Sequence, residues 1–258
     1  MSLTAFLTDS TLCIGCKACE VACKEWNQLS SDGFDFTGNS YDNTTSLGHS
    51  TWRHVKFIEN GAIPGQGGNS PEGFAWGFSS DVCKHCENAG CLEACPTGAI
   101  VRTEFGGVYI QPDVCNGCAY CIVSCPFGVV ERNPQDGRAF KCTFCYDRQL
   151  DGLKPACATA CPTESIKFGD LEQLRQEAHD RVSALQQQGF RDVQLYDPVD
   201  TSVSGIHAFF VVRGDPKRYN YPPHPEIPTK YLKAGWLSAA VGATLLLAGA
   251  LAAFAKDR

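Results

Sequence analysis

CKHCENAGCLEACP, residues 83–96, is followed by eighteen residues of strand and turn signals and then by CNGCAYCIVSCP, residues 115–126. The first stretch spaces its thiols as C-x2-C-x4-C-x3-C-P (Cys83, Cys86, Cys91, Cys95, Pro96). The second reads C-x2-C-x2-C-x3-C-P (Cys115, Cys118, Cys121, Cys125, Pro126). The second spacing is one that wraps a [4Fe-4S] cube, and the first differs from it only by a two-residue insertion. Three closely spaced thiolates grip one cube, while the fourth, carried further along the chain, reaches a neighbouring cube. Two such runs in tandem describe a two-cluster unit in which each lends its last cysteine to the other. A lone CxxC carries little weight; two complete runs closed by proline carry a great deal.

The pattern recurs at both ends of the cysteine-bearing region. TLCIGCKACEVACKEWN, residues 11–27, repeats the x2, x2, x3 spacing with Cys13, Cys16, Cys19 and Cys23, though Lys24 stands where proline would. Lys141 to Pro162 supplies the fourth run, Cys142, Cys145, Cys157 and Cys161, spaced x2, x11, x3 and again followed by proline. All sixteen cysteines of the 258-residue chain fall into these four sets. Neighbours so close in sequence bridge each other only with strain, which disfavours a disulfide framework. Four-thiolate zinc needs two CxxC pairs and leaves the third and fourth cysteines of each run unexplained. If the middle two runs pair with each other, the outer two pair across the whole chain. Cys161 would then complete the set of Cys13, Cys16 and Cys19, and Cys23 that of Cys142, Cys145 and Cys157. In the middle, Cys125 would complete Cys83, Cys86 and Cys91, and Cys95 would complete Cys115, Cys118 and Cys121. The expected fold is α+β, two nested ferredoxin-like two-cluster modules with a C-terminal transmembrane helix, and the expected cofactors are four [4Fe-4S] clusters with iron as the metal.

The formal net charge of −6 argues against a nucleic-acid partner. Lys17, Lys24, Lys84 and Lys141 stand inside or beside the runs. A cation there favours the reduced, more negative cluster, and a solvated lysine is an equal reading of any one of them. The amino terminus, MSLTAFLTDS, has no basic n-region and meets Asp9, so it does not read as a secretory leader and export would fall to a partner. No nucleophile elbow, Walker loop or dinucleotide fingerprint occurs, and no catalytic residue is assigned. The expected chemistry is one-electron relay, with the hard part carried by the cofactor.

The expected organisation is an outer module (1–27 with 131–169), an insertion (28–80), an inner module (81–130), a helix–strand extension (170–213), a Pro-rich linker (214–231) and a transmembrane helix (232–255). In the insertion only TWRHVKFIE, residues 51–59, reads as a strand, and its role is to cover clusters or dock a partner. His49 and His54 read as surface or hydrogen-bonding groups, His207 as packing, and Trp26 as a cover over a cluster. VRTEFGGVYI reads as a hairpin turning at Gly106-Gly107. YDRQLDGLKPA, residues 146–156, reads as a cover or a partner contact. Asp170 predicts an N-cap for a helix from Leu171 to about Gln188 with Gly189 behind it, turning Leu171, Leu174, Ala178, Val182 and Leu185 inward. Strands DVQLY and HAFFVV follow, then five prolines between Asp215 and Pro228 that predict a stiff, extended linker. Ala234 to Ala255 is twenty-two residues without a charge. As a helix it would span about 33 Å, enough to cross a bilayer. Tyr231, Trp236 and the flanking lysines favour an anchor in membrane lipid. Gly235, Gly242 and Gly249 recur every seven residues as a seam suited to a membrane partner.

Taken together, CIGCKACEVACKEWN, YDN at Tyr41 to Asn43, CKHCENAGCLEACP, CNGCAYCIVSCPF, KCTFCYDR, PACATACPT and the terminal helix resemble the iron–sulfur (beta) subunits of membrane-bound respiratory formate dehydrogenases. The resemblance covers nearly the entire chain and is weakest at the 60–80 loop and the tail. Nitrate reductase relatives typically carry tryptophan at the second cysteine of the third run, where this chain has Cys118. Electron-transfer subunits of a membrane hydrogenase or of dimethyl sulfoxide or polysulfide reductases share the cysteine pattern and stand as the alternative. The resemblance implies a non-catalytic subunit. It would carry electrons from a molybdenum or tungsten pterin-containing catalytic subunit to an integral membrane subunit, a cytochrome b or another quinone-reactive type. It also implies a head on the periplasmic or exterior side. Lys217, Arg218, Lys230 and Lys233 before the helix, against Lys256 and Arg258 after it, lean the other way. A head folded around its clusters before export escapes a rule derived for threaded loops, so an outward head is expected.

Overall fold

The computed structural model describes residues 2–33, 44, 46–61 and 74–256. The YDN motif and residues 62–73 lie outside the described residues. In chain order the elements are β1 (Thr4–Asp9), α1 (Ala18–Asn27), β2 (Arg53–Gly61), β3 (Phe74–Val82), α2 (Gly90–Glu93), β4 (Ile100–Arg102), β5 (Val108–Ile110) and α3 (Tyr120–Val123). There follow β6 (Glu131–Arg132), β7 (Ala139–Phe140), α4 (Tyr146–Leu150), α5 (Ala156–Thr159), β8 (Ile166–Asp170), α6 (Leu171–Gln187), β9 (Val193–Tyr196), β10 (Ala208–Arg213) and α7 (Leu232–Lys256).

A four-stranded sheet of order β8-β1-β10-β9 draws the two ends of the head together. Phe6 of β1 pairs antiparallel with Phe168 of β8 and parallel with Ala208 of β10. The sequence reading did not anticipate β1. Both its faces are covered, with Ala5, Phe6 and Leu7 all buried, so it lacks the alternation of a half-exposed strand. Strand β10 is buried through all six residues for the same reason. Helix α6 lies on this sheet and begins as expected: the Asp170 carboxylate accepts the backbone N–H groups of Glu172 and Gln173, both at 3.1 Å. Leu171, Leu174, Ala178 and Leu185 are buried and Val182 partly so. Gly189 takes a φ of +99° behind the helix.

Among its described residues the insertion holds two strands where one was expected. Strand β3 pairs with β2 over nine residues, from Arg53↔Val82 to Gly61↔Phe74. Gly77, Ser79 and Ser80 mask β3 in the sequence, yet the matched antiparallel register satisfies its backbone. Phe78 packs edge-on against Phe57 at 5.0 Å and stacks with Trp76 at 6.0 Å. Its ring comes within 2.8 Å of where a Cβ on Gly15 would stand, so this hairpin lies on the first cysteine run.

Residues 214–231 are not a free linker. Pro216–Tyr219 and Pro228–Tyr231 form 3-10 turns, and Tyr219, Tyr221 and Ile227 are buried. The Tyr221 hydroxyl meets Ser79 Oγ at 3.0 Å, and Tyr221 stacks on Tyr196 at 5.1 Å. Prolines shrink the unfolded ensemble of this strap while its aromatic residues supply the burial that fixes it. Beyond it α7 is exposed along its described length and is long and apolar enough to cross a membrane. Gly235, Gly242 and Gly249 face open space.

Candidate metal centres

The four runs share one backbone device. The residue before the second cysteine has a positive φ in every run: Gly15 (+69°), His85 (+45°), Gly117 (+73°) and Phe144 (+64°). Such a turn curls the CxxC segment so that its thiols and N–H groups face a common concavity. His85 and Phe144 adopt this conformation at a cost of about 1–3 kcal/mol each. Packing holds them: both are buried, their rings lie 4.3 Å apart, and His85 Nδ1 accepts the Val108 N–H at 3.0 Å.

A second regularity follows from proline. Helices α2, α3 and α5 are four residues long and each stops two residues before a Cys-Pro pair. The cysteine before a proline is turned away from helical geometry, so the helix ends there. The chain then reverses through Gly98, Gly128 and Glu164, all of positive φ. The first run has Lys24 in place of proline, and α1 continues for ten residues.

All sixteen thiols are free. One pocket is lined by Cys13, Cys16, Cys19 and Cys161, and another by Cys83, Cys86, Cys91 and Cys125. Cys23 lies in the field of Cys157, Cys142 and Cys145, and Cys121 in that of Cys115, Cys118 and Cys95. Among the described residues no three His, Cys, Asp or Glu side chains close around a single ion. The thiols ring voids, which suits cluster ligands rather than a zinc ion whose bonds of about 2.3 Å would gather the sulfurs to a point. The donor set fits iron–sulfur cubes.

Burial, reinforced by neighbouring sulfurs, pushes these thiols up. Cys19, Cys91 and Cys145 rise to about 12 and Cys121 to about 11, with Cys23, Cys86 and Cys142 also raised. They keep their protons at neutral pH until metal takes them, so loading expels protons. Cys95 moves down: its burial cost is outweighed by hydrogen bonds from the Thr97 hydroxyl and the backbone N–H groups of Ile100, Thr97 and Ala99. Cys16 and Cys118 are exposed, and apolar Ile14, Val21, Tyr120 and Val123 stand exposed near them in the chain.

The four lysines part company. Lys141 is buried and donates to the Val108 and Cys142 carbonyls; its pKa is raised because the fields of Cys83, Cys91 and Cys142 as thiolates outweigh its burial. Lys84 is also buried, but burial lowers its pKa; it pairs with Asp81 and lies 4.8 Å from the rings of Phe210 and Tyr221. Lys24 points away from the thiols, to Ser50 O at 2.6 Å, Thr51 Oγ1 at 2.8 Å and Asp32 at 2.8 Å. Lys17 lies 5.3 Å from the Phe57 ring. Sequence reasoning missed Arg53, a buried guanidinium against Cys157. Its one signal was that it shares a strand face with Val55 and Phe57.

Trp26, expected over a cluster, is placed among polar partners of the fourth run. It is exposed, donates to Asp147 at 2.8 Å and carries the Arg148 guanidinium 4.3 Å from its ring, joining α1 to α4. The long spacing of the fourth run thus provides a docking point for the first. His49 pairs with Glu131 at 2.8 Å, and His54 is buried. His207 is held between Thr4 O and Glu87, each at 2.9 Å.

A family model described as a 4Fe-4S dicluster domain matches residues 12–99, and another of the same description matches residues 74–171. The formate dehydrogenase-O iron-sulfur subunit of Escherichia coli (strain K12) is 40% identical over 248 residues, covering 92% of this chain and 78% of that protein. The formate dehydrogenase iron-sulfur subunit of Haemophilus influenzae is 40% identical over 227 residues, covering 86% and 70%. The B component of the anaerobic dimethyl sulfoxide reductase of E. coli is 33% identical over 180 residues, covering 68% and 77%. Sixteen cysteines and two dicluster domains fit four [4Fe-4S] clusters.

Proposed function

We propose, on the premise that this protein belongs to the family of formate dehydrogenase iron–sulfur subunits, that it relays single electrons from a molybdenum- or tungsten-containing catalytic subunit to a quinone-reactive membrane subunit. Bound clusters supply reversible storage of one electron each. The chain's own residues hold them, exclude water and set their charge environment. Cys13, Cys16, Cys19 and Cys161 form one ligand set, and Cys23, Cys142, Cys145 and Cys157 a second. Cys83, Cys86, Cys91 and Cys125 form the third, and Cys95, Cys115, Cys118 and Cys121 the fourth. The outer module encloses the inner one. The observation that carries the reading is the cavity where Cys161 joins Cys13, Cys16 and Cys19 from the far end of the cysteine-bearing region.

Iron analysis and low-temperature EPR of the anaerobically purified complex test it. Beyond the iron of its partners, wild type should hold about sixteen iron per chain and Cys161→Ser about twelve, with the signal of the first set lost. Iron near eight in wild type, or loss of the set held by Cys142 and Cys145 in the variant, would overturn the assignment. The likeness to a dimethyl sulfoxide reductase component supports a second reading, service to a reductase. The activity of the copurifying catalytic subunit decides between them, and formate oxidation is expected. Helix α7 would anchor the head on the periplasmic or exterior side: protease added to intact spheroplasts should digest the head, and protection until lysis would place it inside.

A further inference from the structure

The guanidinium of Arg53, 1% exposed, lies between cysteines from the two ends of the head. Nη2 donates to Cys157 Sγ at 3.4 Å and Nη1 to Ser80 O at 3.0 Å. The group sits 4.7 Å from the Phe6 ring. The Ser80 hydroxyl meets Cys19 Sγ at 3.2 Å, so Arg53 and Ser80 together connect Cys157 to Cys19. Among the described residues Nε has no hydrogen-bond partner and no carboxylate forms an ion pair with Arg53. A buried charge without a counter-ion is strongly disfavoured, and neutral thiols supply none. The cysteines become anionic when they ligate iron as thiolates. Lys84, a buried cation of the same hairpin region, makes the contrast plain, because it has Asp81.

We propose that Arg53 is the shared counter-ion of the two outer clusters and raises their reduction potentials. The proposal rests on the outer ligand sets assigned above. One electron taken from a donor, here the mediator dyes of a redox titration, adds one negative charge to a cluster without making or breaking a bond to the protein. A fixed cation against Cys157, in the field of Cys19, stabilises that added charge by Coulomb attraction in a water-poor interior. Arg53 is a positioning residue: it touches the ligand sulfur and acts through it.

The test is EPR-monitored redox titration and iron analysis of Arg53→Met and Arg53→Lys in the full chain within its complex. Arg53→Met should keep about sixteen iron and lower two of the four midpoint potentials by at least tenfold in the reduction equilibrium, about 59 mV for one electron. The other two should hold. Arg53→Lys, which keeps the charge, should stay within threefold of wild type. Four unchanged potentials in Arg53→Met, or four shifted together, would overturn the proposal, as would a lysine variant that behaves like the methionine one. If Arg53→Met fails to load, Arg53→Lys decides: full iron with near-native potentials sustains the counter-ion role, and equal iron loss reduces Arg53 to packing. A Cys161→Ser variant that spares the first set would sink the ligand sets instead, leaving a distinct signature.

Discussion

The first and third cysteine runs have identical spacing and different endings. Each bends through a glycine of positive φ, Gly15 or Gly117, and then through a second left-handed residue, Lys17 or Ala119. In the third run Pro126 stops α3 after four residues. In the first, Lys24 lets α1 run on, and the added turns reach two other parts of the molecule. Lys24 ties the helix to Asp32, Ser50 and Thr51, and Trp26 ties it to Asp147. One residue after the last thiol therefore decides whether a run only holds metal or also serves as a strut.

The turns differ as well, and that difference should give the largest effect. A Cβ on Gly117 would stand 2.3 Å from the Gly137 carbonyl oxygen, a backbone atom, whereas one on Gly15 would meet the Phe78 ring at 2.8 Å. Gly117→Ala should cost the chain a cluster, about a quarter of its iron. Gly15→Ala should keep its iron and lose about 1–2 kcal/mol from its positive φ, as the ring turns aside. Equal iron loss in both would erase the distinction.

Next in size, Lys24→Pro gives the first run the ending of the third. A proline inside a helix costs about 3 kcal/mol, so thermal unfolding should come about 6–12 °C earlier in a chain of this size. An unchanged transition would show that the second half of α1 is no strut.

The smallest effect concerns the acid partner of that strut. Asp32 is lowered to about 2: burial alone would raise it, but hydrogen bonds from Lys24, Ser50 and Thr51 outweigh that cost. Its folded value lies below its unfolded one, so its stabilisation is present above about pH 3.9 and is lost as pH falls toward 2. Asp32→Asn should cost on the order of 1 kcal/mol at pH 7 once solvent screening is allowed for. In denaturant unfolding the gap from wild type should narrow between pH 5 and pH 3. A gap independent of pH would mean that the Asp32 charge contributes nothing.

These contrasts also show what was legible in the sequence. Cysteine spacing is local and stereochemically demanding, so the four runs and the Asp170 cap could be read from nearby residues, whereas the left-handed turns at His85 and Phe144 could not. Strand β1 could not, since TAFLTD owes its strand to partners more than 150 residues away and shows no alternation. Strand β3 was hidden by glycine and serine and is fixed by its register with β2. The strap misled because prolines read as a linker, while Tyr219 and Tyr221 find buried partners only in three dimensions. Arg53 was missed for a related reason: despite its place on a strand face with Val55 and Phe57, an arginine looks solvated until the sulfurs around it are seen.

Strand β1 has one more consequence, in the order in which the molecule is made. Thr4–Asp9 is synthesised well before its neighbours in the sheet, Ile166–Asp170 and Ala208–Arg213. At roughly 5–20 residues per second, the nascent strand waits about 10–30 s for β8 and longer for β10. Meanwhile β2–β3 and β4–β5 close from neighbouring sequence. A central strand left with two open edges for that time invites wrong pairing, so a chaperone that shields the nascent β1 should raise the yield of folded chain more than one that acts on the finished polypeptide. Synthesis closes the local hairpins of this head early, and β1 is among the last parts to find a place.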